Sequence, residues 1–256
     1  RSVPCILRDM DVEHALESLG GIASLEQLRA RSLDRADVLA ARHRGHVVKV
    51  RRGWCALRTA DVPVVEAVRI RGQATCITAT RALGLWTLDD GRLHVAVPGN
   101  GSRLNPRHDE APPAHLDASV RVHWRARTAA PTMARQPLRD VLQHVVECQP
   151  PELALAVLDS AVHQGRCSLE WLRRILDGTA VGRLLAAEVD SGAGAGGESI
   201  VRWRLRREGM RVRTQVWIDD LGPRDFVIGD RLVVEIDGRE HHALVEGFAR
   251  DRWLDR

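Results

Sequence analysis

The sequence contains no tyrosine and only two phenylalanines, Phe226 and Phe248. Proteins that hold single-stranded nucleic acid without sequence preference stack successive bases on aromatic rings. With no tyrosine and two phenylalanines, such a platform is not expected. Lysine is nearly absent as well: Lys49 is the one lysine among 38 strong bases. The cysteines, Cys5, Cys55, Cys76, Cys148 and Cys167, are scattered, odd in number and contain no CxxC pair. That pattern argues against a disulfide framework and against a zinc knuckle, so buried reduced thiols are expected. No stretch approaches the roughly 18 uncharged apolar residues of a membrane span. The opening "RSVPCILRDMDVEHALESLG" lacks the apolar core of a signal peptide. A soluble, cytoplasmic protein with no membrane partner is expected. Because the sequence opens on Arg1 rather than Met, further residues are expected to precede it.

What is present fits one to three globular domains: 256 residues, 44% of them hydrophobic. The net charge of +4 decides little, but its distribution is uneven. Residues 1–60 hold eleven Arg/Lys against seven Asp/Glu, whereas residues 198–256 hold twelve of each. A nucleic-acid footprint is therefore expected at the N-terminal end. A second candidate is "VRWRLRREGMRVR", Val201 to Arg213.

The clearest break is "SGAGAGGES", Ser191 to Ser199, whose Gly and Ala read as a flexible linker. Four segments are expected: a head (1–60), a mixed α/β middle (61–190), a linker (191–197) and a tail (198–256).

In the head, Asp11 to Leu19 reads as a short helix closed by Gly20-Gly21. "SLEQL" opens a second, with Ser24 and Gln27 spaced as a capping box. "RSLDRADVLAARHRG" is a third, with Ser32 as cap and Gly45 as stop. "HVVKVRRGWCAL" alternates, turns at Arg52-Gly53 and returns. Three short helices and a hairpin describe a winged helix-turn-helix, in which a helix enters the major groove of double-stranded DNA and the wing grips the backbone. Arg35, Arg42 and Arg44, with Lys49, Arg51 and Arg52 on the wing, are the candidate DNA contacts. A small helical domain with a solvated basic face, serving protein contacts, is the alternative.

In the middle, "EAVRIRGQATCITATRALGLW" reads as largely helical. "RLHVAVP" and "VRVHWRA" are strands. "LRDVLQHVVEC", "PELALAVLDSAVHQG" and "SLEWLRRILDG" are amphipathic helices. His94 and His123 are read as core or surface histidines rather than metal ligands.

In the tail, "ESIVRWRLRREGM" is a helix with Ile200, Trp203 and Leu205 inward and Glu198 in its first turn, where a carboxylate suits the helix dipole. "VRTQVWID" is a strand. "DFVIGDRLVVEIDGREHH" is then a hairpin carrying acids at its ends. Strand residues two apart share a face, so Glu235 and Asp237 lie together, opposite Leu232, Val234 and Ile236. Asp225 joins the acidic face only if the turn has three residues, 229–231, which pairs it with Glu235; a two-residue turn separates them. Hard cations such as Mg²⁺ bind through carboxylates and water. Pairing of Asp225 and Glu235 with Arg224, Arg239 or Arg252 is the alternative use of these acids.

A helix Glu, an Asp, then a hairpin to Glu-x-(basic) is the arrangement of PD-(D/E)xK nucleases. "GESIVRWRLRREGM…QVWIDDLGPRDFVIGDRLVVEIDGREHH…FARDR" resembles the very-short-patch-repair-endonuclease-like domain common in actinobacterial proteins. "TATRALGLW…RLHVAVP…VRVHWRA", with the head, resembles the region that accompanies it in AbiEi-type, type IV antitoxin-like proteins. The resemblance implies an α/β (α+β) fold with a restriction-endonuclease-like core and metal-dependent cleavage of DNA phosphodiesters. Carried over by position, Glu198, Asp225 and Glu235 match the acids that hold Mg²⁺ or Mn²⁺, and His242 matches the histidine of the repair endonuclease. Asp237 stands where the wider superfamily has lysine, so that lysine's work passes to His242 or Arg239, or is lost. The sequence stops at Arg256, where the family continues through a helix and a strand, so a truncated core is expected.

The expected function is a Mg²⁺-dependent DNA endonuclease with a DNA-binding head, acting in repair or phage defence. The rival is a non-enzymatic DNA-binding regulator of the antitoxin type with a degenerate nuclease fold. A third reading is an interaction module for a cognate toxin.

Overall fold

Short polar residues placed ahead of apolar stretches set the first helices. Asp11 accepts from the His14 amide and opens α1 (Val12–Ser18). Ser24 and Gln27 form the expected capping box of α2 (Leu25–Arg29). The cap of α3 (Arg35–His43) is Asp34, which accepts from the Ala36 and Asp37 amides, and not Ser32. Ser32 instead follows α2 with φ 62°, in the left-handed region, where it cannot act as an extended N-cap. Gly45, at φ 86°, lies beyond the end of α3, as expected.

The computed structural model describes residues 11–97, 119–124, 132–193, 196–219 and 221–236. Among these the fold is mixed α/β, with ten helices and three three-stranded sheets. No helix among the described residues is long and apolar enough to cross a membrane. The chain divides into two compact units: residues 1–83 with 89–144, and residues 84–88 with 145–256. The segment 61–190 is thus shared between them.

In the first unit, β1 (Ile22–Ser24), β2 (Val47–Arg51) and β3 (Trp54–Leu57) form an antiparallel sheet in the order β1-β3-β2. Strand alternation sends Ala23, Val47 and Cys55 into a core with Leu16, Leu28, Val38 and Ala41 of α1 to α3. Ile22, Trp54 and Ala56 enter a second core with Val64, Ala67 and Val68 of α4 (Val62–Arg69). The sheet is therefore buried on both faces.

The long helix expected after residue 65 is interrupted. α4 ends ahead of Arg71, at φ 66°, and Gly72, where a Cβ would sit 3.0 Å from Val95 Cβ. β4 (Gln73–Ala74) then leads into α5 (Cys76–Ala82). β5 (Leu93–Val97) and β6 (Val120–Trp124) are the two expected strands, and they pair in parallel; the sheet order is β4-β5-β6. α6 (Leu138–Cys148) follows, and the division between the units falls within this continuous helix, after His144.

The second unit holds α7 (Pro151–His163), α8 (Leu169–Leu176), α9 (Ala180–Glu188) and α10 (Gly196–Arg207). The sheet β7 (Val212–Ile218), β8 (Gly222–Ile228) and β9 (Leu232–Val234) is an antiparallel meander. The glycine-rich stretch is not solely a linker. Gly196 is the first residue of α10 and is buried; a Cβ there would stand 2.0 Å from Trp86 Cδ2. Only glycine lets the backbone lie that close to the indole.

α10 also corrects the expected inner face. Trp203 is buried, but its partners inside are Ser199 and Arg202 rather than Ile200 and Leu205, which are half-buried. Arg202 is fully buried, and its Nη2 donates to Asp159 Oδ2 of α7 at 2.6 Å. An isolated buried carboxylate is costly, so the facing helix supplies a cation. Asp159 Oδ1 accepts from the Asp190 amide at 2.8 Å, and Asp190 Oδ2 lies 3.7 Å from Arg202 Nη1 and accepts from Thr214 Oγ1. Burial raises the Asp159 pKa, a rise that Arg202 and Ser199 restrain. For Asp190, burial also pushes upward, but the Thr214 hydroxyl, the Gly192 amide and the charges of Arg202 and Arg206 together hold it below the usual carboxylate range.

Candidate nucleic-acid interface and acidic hairpin

The amphipathic turn spacing of α3 buries Val38 and Ala41 and leaves Arg35, Leu39, Arg42 and His43 outside. On the adjoining hairpin, Lys49 and Arg52 are exposed. Arg35, Arg42, Lys49 and Arg52 make no ion pair among the described residues. The other two candidate contacts have internal partners. Arg44 Nη2 meets Glu13 Oε1 of α1 at 2.8 Å. Arg51 lies over the Trp54 ring, 5.2 Å from its centroid, and is half-buried. Burial, and then the charge of Arg71, lower the Arg51 pKa. Arg71 is thus a neighbouring cation that sequence spacing did not reveal, because the two residues meet only through the packing of α4 on the sheet.

The register of the hairpin shifts between Lys49 and Arg51, a bulge that follows the pairing of Lys49 with Cys55. Gly53, at φ 82°, makes the tight turn.

"VRWRLRREGMRVR" is not an open basic surface. Arg202 is buried, Arg204 pairs with Glu152, Arg206 with Glu188, and Arg213 lies 3.8 Å from Asp230. Its charge is largely matched by acids of the same unit.

In the tail, β8 and β9 pair Phe226 with Val234, Val227 with Val233 and Ile228 with Leu232. The loop is therefore 229–231, the odd loop that sequence reasoning required, with Gly229 at φ 59°. One step further along this register brings Asp225 opposite Glu235. On the other side of β8, the pairs of Thr214 with Phe226 and Val216 with Arg224 leave Gln215 beside Asp225. Gln215 has φ 48°, and its Nε2 donates to Glu198 Oε2 of α10 at 3.3 Å. Glu198 is buried. The start of α10 also meets the end of the hairpin: a Cβ on Gly197 would lie 3.4 Å from Ile236 Cγ2.

Asp225 and Glu235 are thus neighbours across the hairpin, and Glu198 of α10 meets Gln215 beside Asp225, but each acid is engaged. Asp225 Oδ2 accepts from the Ile236 amide at 2.8 Å. Glu235 Oε1 meets Arg224 Nη1 at 2.8 Å, the pairing anticipated as the alternative use of this acid. Among the described residues, Glu198, Asp225 and Glu235 do not gather their oxygens into a cation-binding group. Their oxygen donors suit a hard cation in kind. Asp237 and His242, with Arg239 and Arg252, lie outside the described residues.

Within the first unit, three other side chains do gather. The potential ligand atoms of Cys76, His94 and His123 lie within 4.8 Å of one another. Sequence reasoning treated them as a separate thiol and core or surface histidines. Their spacings, 18 and 29 residues, match no short ligand motif, and only the matching positions of two histidines in two strands hinted at a meeting. Cys55 and Cys76 are buried, and Cys148 and Cys167 are half-buried.

No protein-family model matches this chain, and no curated protein is detectably similar to it.

Proposed function

We propose that the chain binds double-stranded DNA through residues 11–60, folded as a winged helix, and acts as a DNA-binding regulator. The observation that carries this reading is the exposed, unpaired cations of α3 and the β2–β3 turn on a scaffold ordered α1-β1-α2-α3-β2-β3. In this reading α3 enters the major groove, with Arg35 and Arg42 at base edges or phosphates, and Lys49 and Arg52 hold the backbone. Arg44 acts indirectly, by tying α3 to α1 through Glu13. Arg51, backed by Trp54 and beside Arg71, offers a second point of positive charge with its side chain already ordered.

Four phosphate contacts give a slope of log affinity against log salt of about −3.6, or a loss of about 10²-fold between 50 and 200 mM. Fluorescence anisotropy of the full chain on a labelled duplex measures this. A salt-independent affinity, or none at 50 mM, rejects the proposal.

A second reading, metal-dependent cleavage of DNA at the β8–β9 hairpin, is favoured by one observation: the three-residue turn that brings Asp225 and Glu235 opposite each other, with Glu198 reached through Gln215. It requires Glu235 to leave Arg224. Nicking of supercoiled plasmid with Mg²⁺ or Mn²⁺, lost on Asp225→Ala and Glu235→Ala with duplex binding intact, supports this reading. Binding without any nicking in either metal leaves the regulator reading alone.

A further inference from the structure

We infer that three side chains of the first unit, Cys76, His94 and His123, bind a zinc ion. Strand pairing brings the histidines together. Ala96 pairs with His123 in the parallel β5–β6 ladder, and His94 shares the face of Ala96. His94 Nδ1 consequently lies 3.1 Å from His123 Nε2. Two hydrogen bonds set the start of α5 against β5. The Thr75 amide donates to the His94 carbonyl at 3.1 Å, and the His94 amide donates to Thr78 Oγ1 at 2.8 Å. Cys76, between these threonines, is the first residue of α5, and its sulfur falls within 4.8 Å of a nitrogen of each histidine.

The donors and distances suit zinc, which takes thiolate and imidazole together. Zn–N bonds of about 2.0–2.1 Å and a Zn–S bond of about 2.3 Å make tetrahedral ligand–ligand edges of about 3.3–3.6 Å. The two histidine nitrogens, 3.1 Å apart, are within a few tenths of an ångström of such an edge. Three protein ligands leave the fourth corner of the tetrahedron to a further donor. Cys76, His94 and His123 are all buried, and a buried charge has to be paired. One thiolate leaves a divalent ion with a single positive charge, which the Asp90 carboxylate beyond His94 offsets.

The surroundings of His94 identify which nitrogen would bind. Its Nε2 faces Asp90 Oδ2 at 3.1 Å. A carboxylate on the outer nitrogen fixes the tautomer and turns the inner nitrogen's lone pair toward the metal, as in carboxylate–histidine–zinc triads. Here the inner nitrogen is Nδ1, the one that faces His123. With the proton on Nε2, Nδ1 offers only a lone pair, so what it meets is either a proton on His123 or a cation between the rings. The sulfur of Cys76 in the same group favours the cation. His144 packs against His123 with ring centroids 4.7 Å apart, and its Nδ1 is 2.6 Å from Thr75 Oγ1. Thr75 makes no helix-capping bond, and Cys76 beside it adopts φ 47°. Such a backbone persists where its surroundings fix it, and it is found at ligand clamps. The zinc would tie α5, β5 and β6 together inside the first unit.

The test uses the full, untagged chain. Elemental analysis should find about one zinc per chain. After chelation, titration with Co²⁺ should produce the visible bands of tetrahedral cobalt with near-ultraviolet thiolate-to-cobalt charge transfer. Cys76→Ser should lose that charge transfer, and His123→Ala should lose the zinc. Because those variants sit in the core and can fail to fold, Asp90→Asn, at an exposed position, is the deciding one: it should keep the fold and weaken zinc binding by about 10–100-fold in chelator competition. A folded wild type without zinc and without cobalt bands overturns the inference. So does zinc that Asp90→Asn holds as tightly as the wild type.

Discussion

Arginine is put to opposite uses in the two ends of the described chain. In the second unit four arginines have their charge matched: Arg202, Arg204, Arg206 and Arg224 each close on an acid at 2.5 to 2.8 Å. In the head, Arg35, Arg42 and Arg52, with Lys49, stand in solvent without an ion pair among the described residues. Composition alone would rank "VRWRLRREGMRVR" as the denser basic stretch. What separates the two regions is whether acids lie opposite: α10 faces Asp159, Glu152 and Glu188, whereas at α3 only Arg44, at the helix end, meets an acid of another element, Glu13, among the described residues. Basic density is a guide to nucleic-acid binding only after internal partners have been subtracted.

The strongest way to break this comparison is Arg202→Ala. It leaves Asp159 buried without its cation, and such a removal costs about 3–5 kcal/mol. Urea unfolding should show it; a loss near that of an exposed pair, about 0–1 kcal/mol, would mean that the network does not hold α10 to α7. Next is Gly196→Ala. Its methyl collides with the Trp86 indole, and overpacking of this kind costs about 1–3 kcal/mol in the same measurement. A flexible linker would tolerate the change without loss. Asp34→Ala, which removes the α3 cap, should cost about 1 kcal/mol and weaken DNA binding by loosening that helix, while Ser32→Ala should do neither.

Acid sharpens the comparison further. Asp190 is held below its ordinary value of about 3.9, so the stability it contributes is present above that pH and is lost as pH falls through the lower, folded-state value. Asp190→Asn should therefore show a shallower fall of melting temperature between pH 4 and pH 2 than the wild type. The smallest expected effect on stability is at Lys49. Lys49→Ala should leave the unfolding midpoint unchanged and lower the salt slope of duplex binding by about 1. An unchanged slope would show that this cation is not at a phosphate.

Much of the local structure is legible in the sequence because it follows from local chemistry. The Ser24–Gln27 box, the Gly45 and Gly53 turns, the strands around His94 and His123, and helices α6 to α8 each follow from capping residues or periodicity. The loop of the β8–β9 hairpin was legible for a different reason: only an odd loop puts Asp225 and Glu235 on one face. What escaped detection depends on partners distant in sequence. β1 is three residues long and buried throughout, so it shows no alternation. α9, around Gly182, carries no strong apolar stripe. Gly196 looks like a linker until Trp86, more than a hundred residues earlier, is placed against it. Arg202 looks like a surface cation until Asp159 is buried beneath it. The Cys76, His94 and His123 group draws on three elements and has no sequence spacing to betray it. For the acids the sequence supplied the neighbours but not their orientation, because the reach of Arg224 to Glu235 is a matter of rotamers rather than of register.

The scarcity of lysine gives the head one more property. Lys49 is the only side-chain primary amine in these 256 residues, and it stands exposed on β2, beside the turn expected to touch DNA. An amine-reactive fluorophore attached under conditions that spare the α-amino group would therefore label one defined place, without mutagenesis. Its emission would report on whatever approaches that turn, and masking of Lys49 from the reagent would map the contact directly.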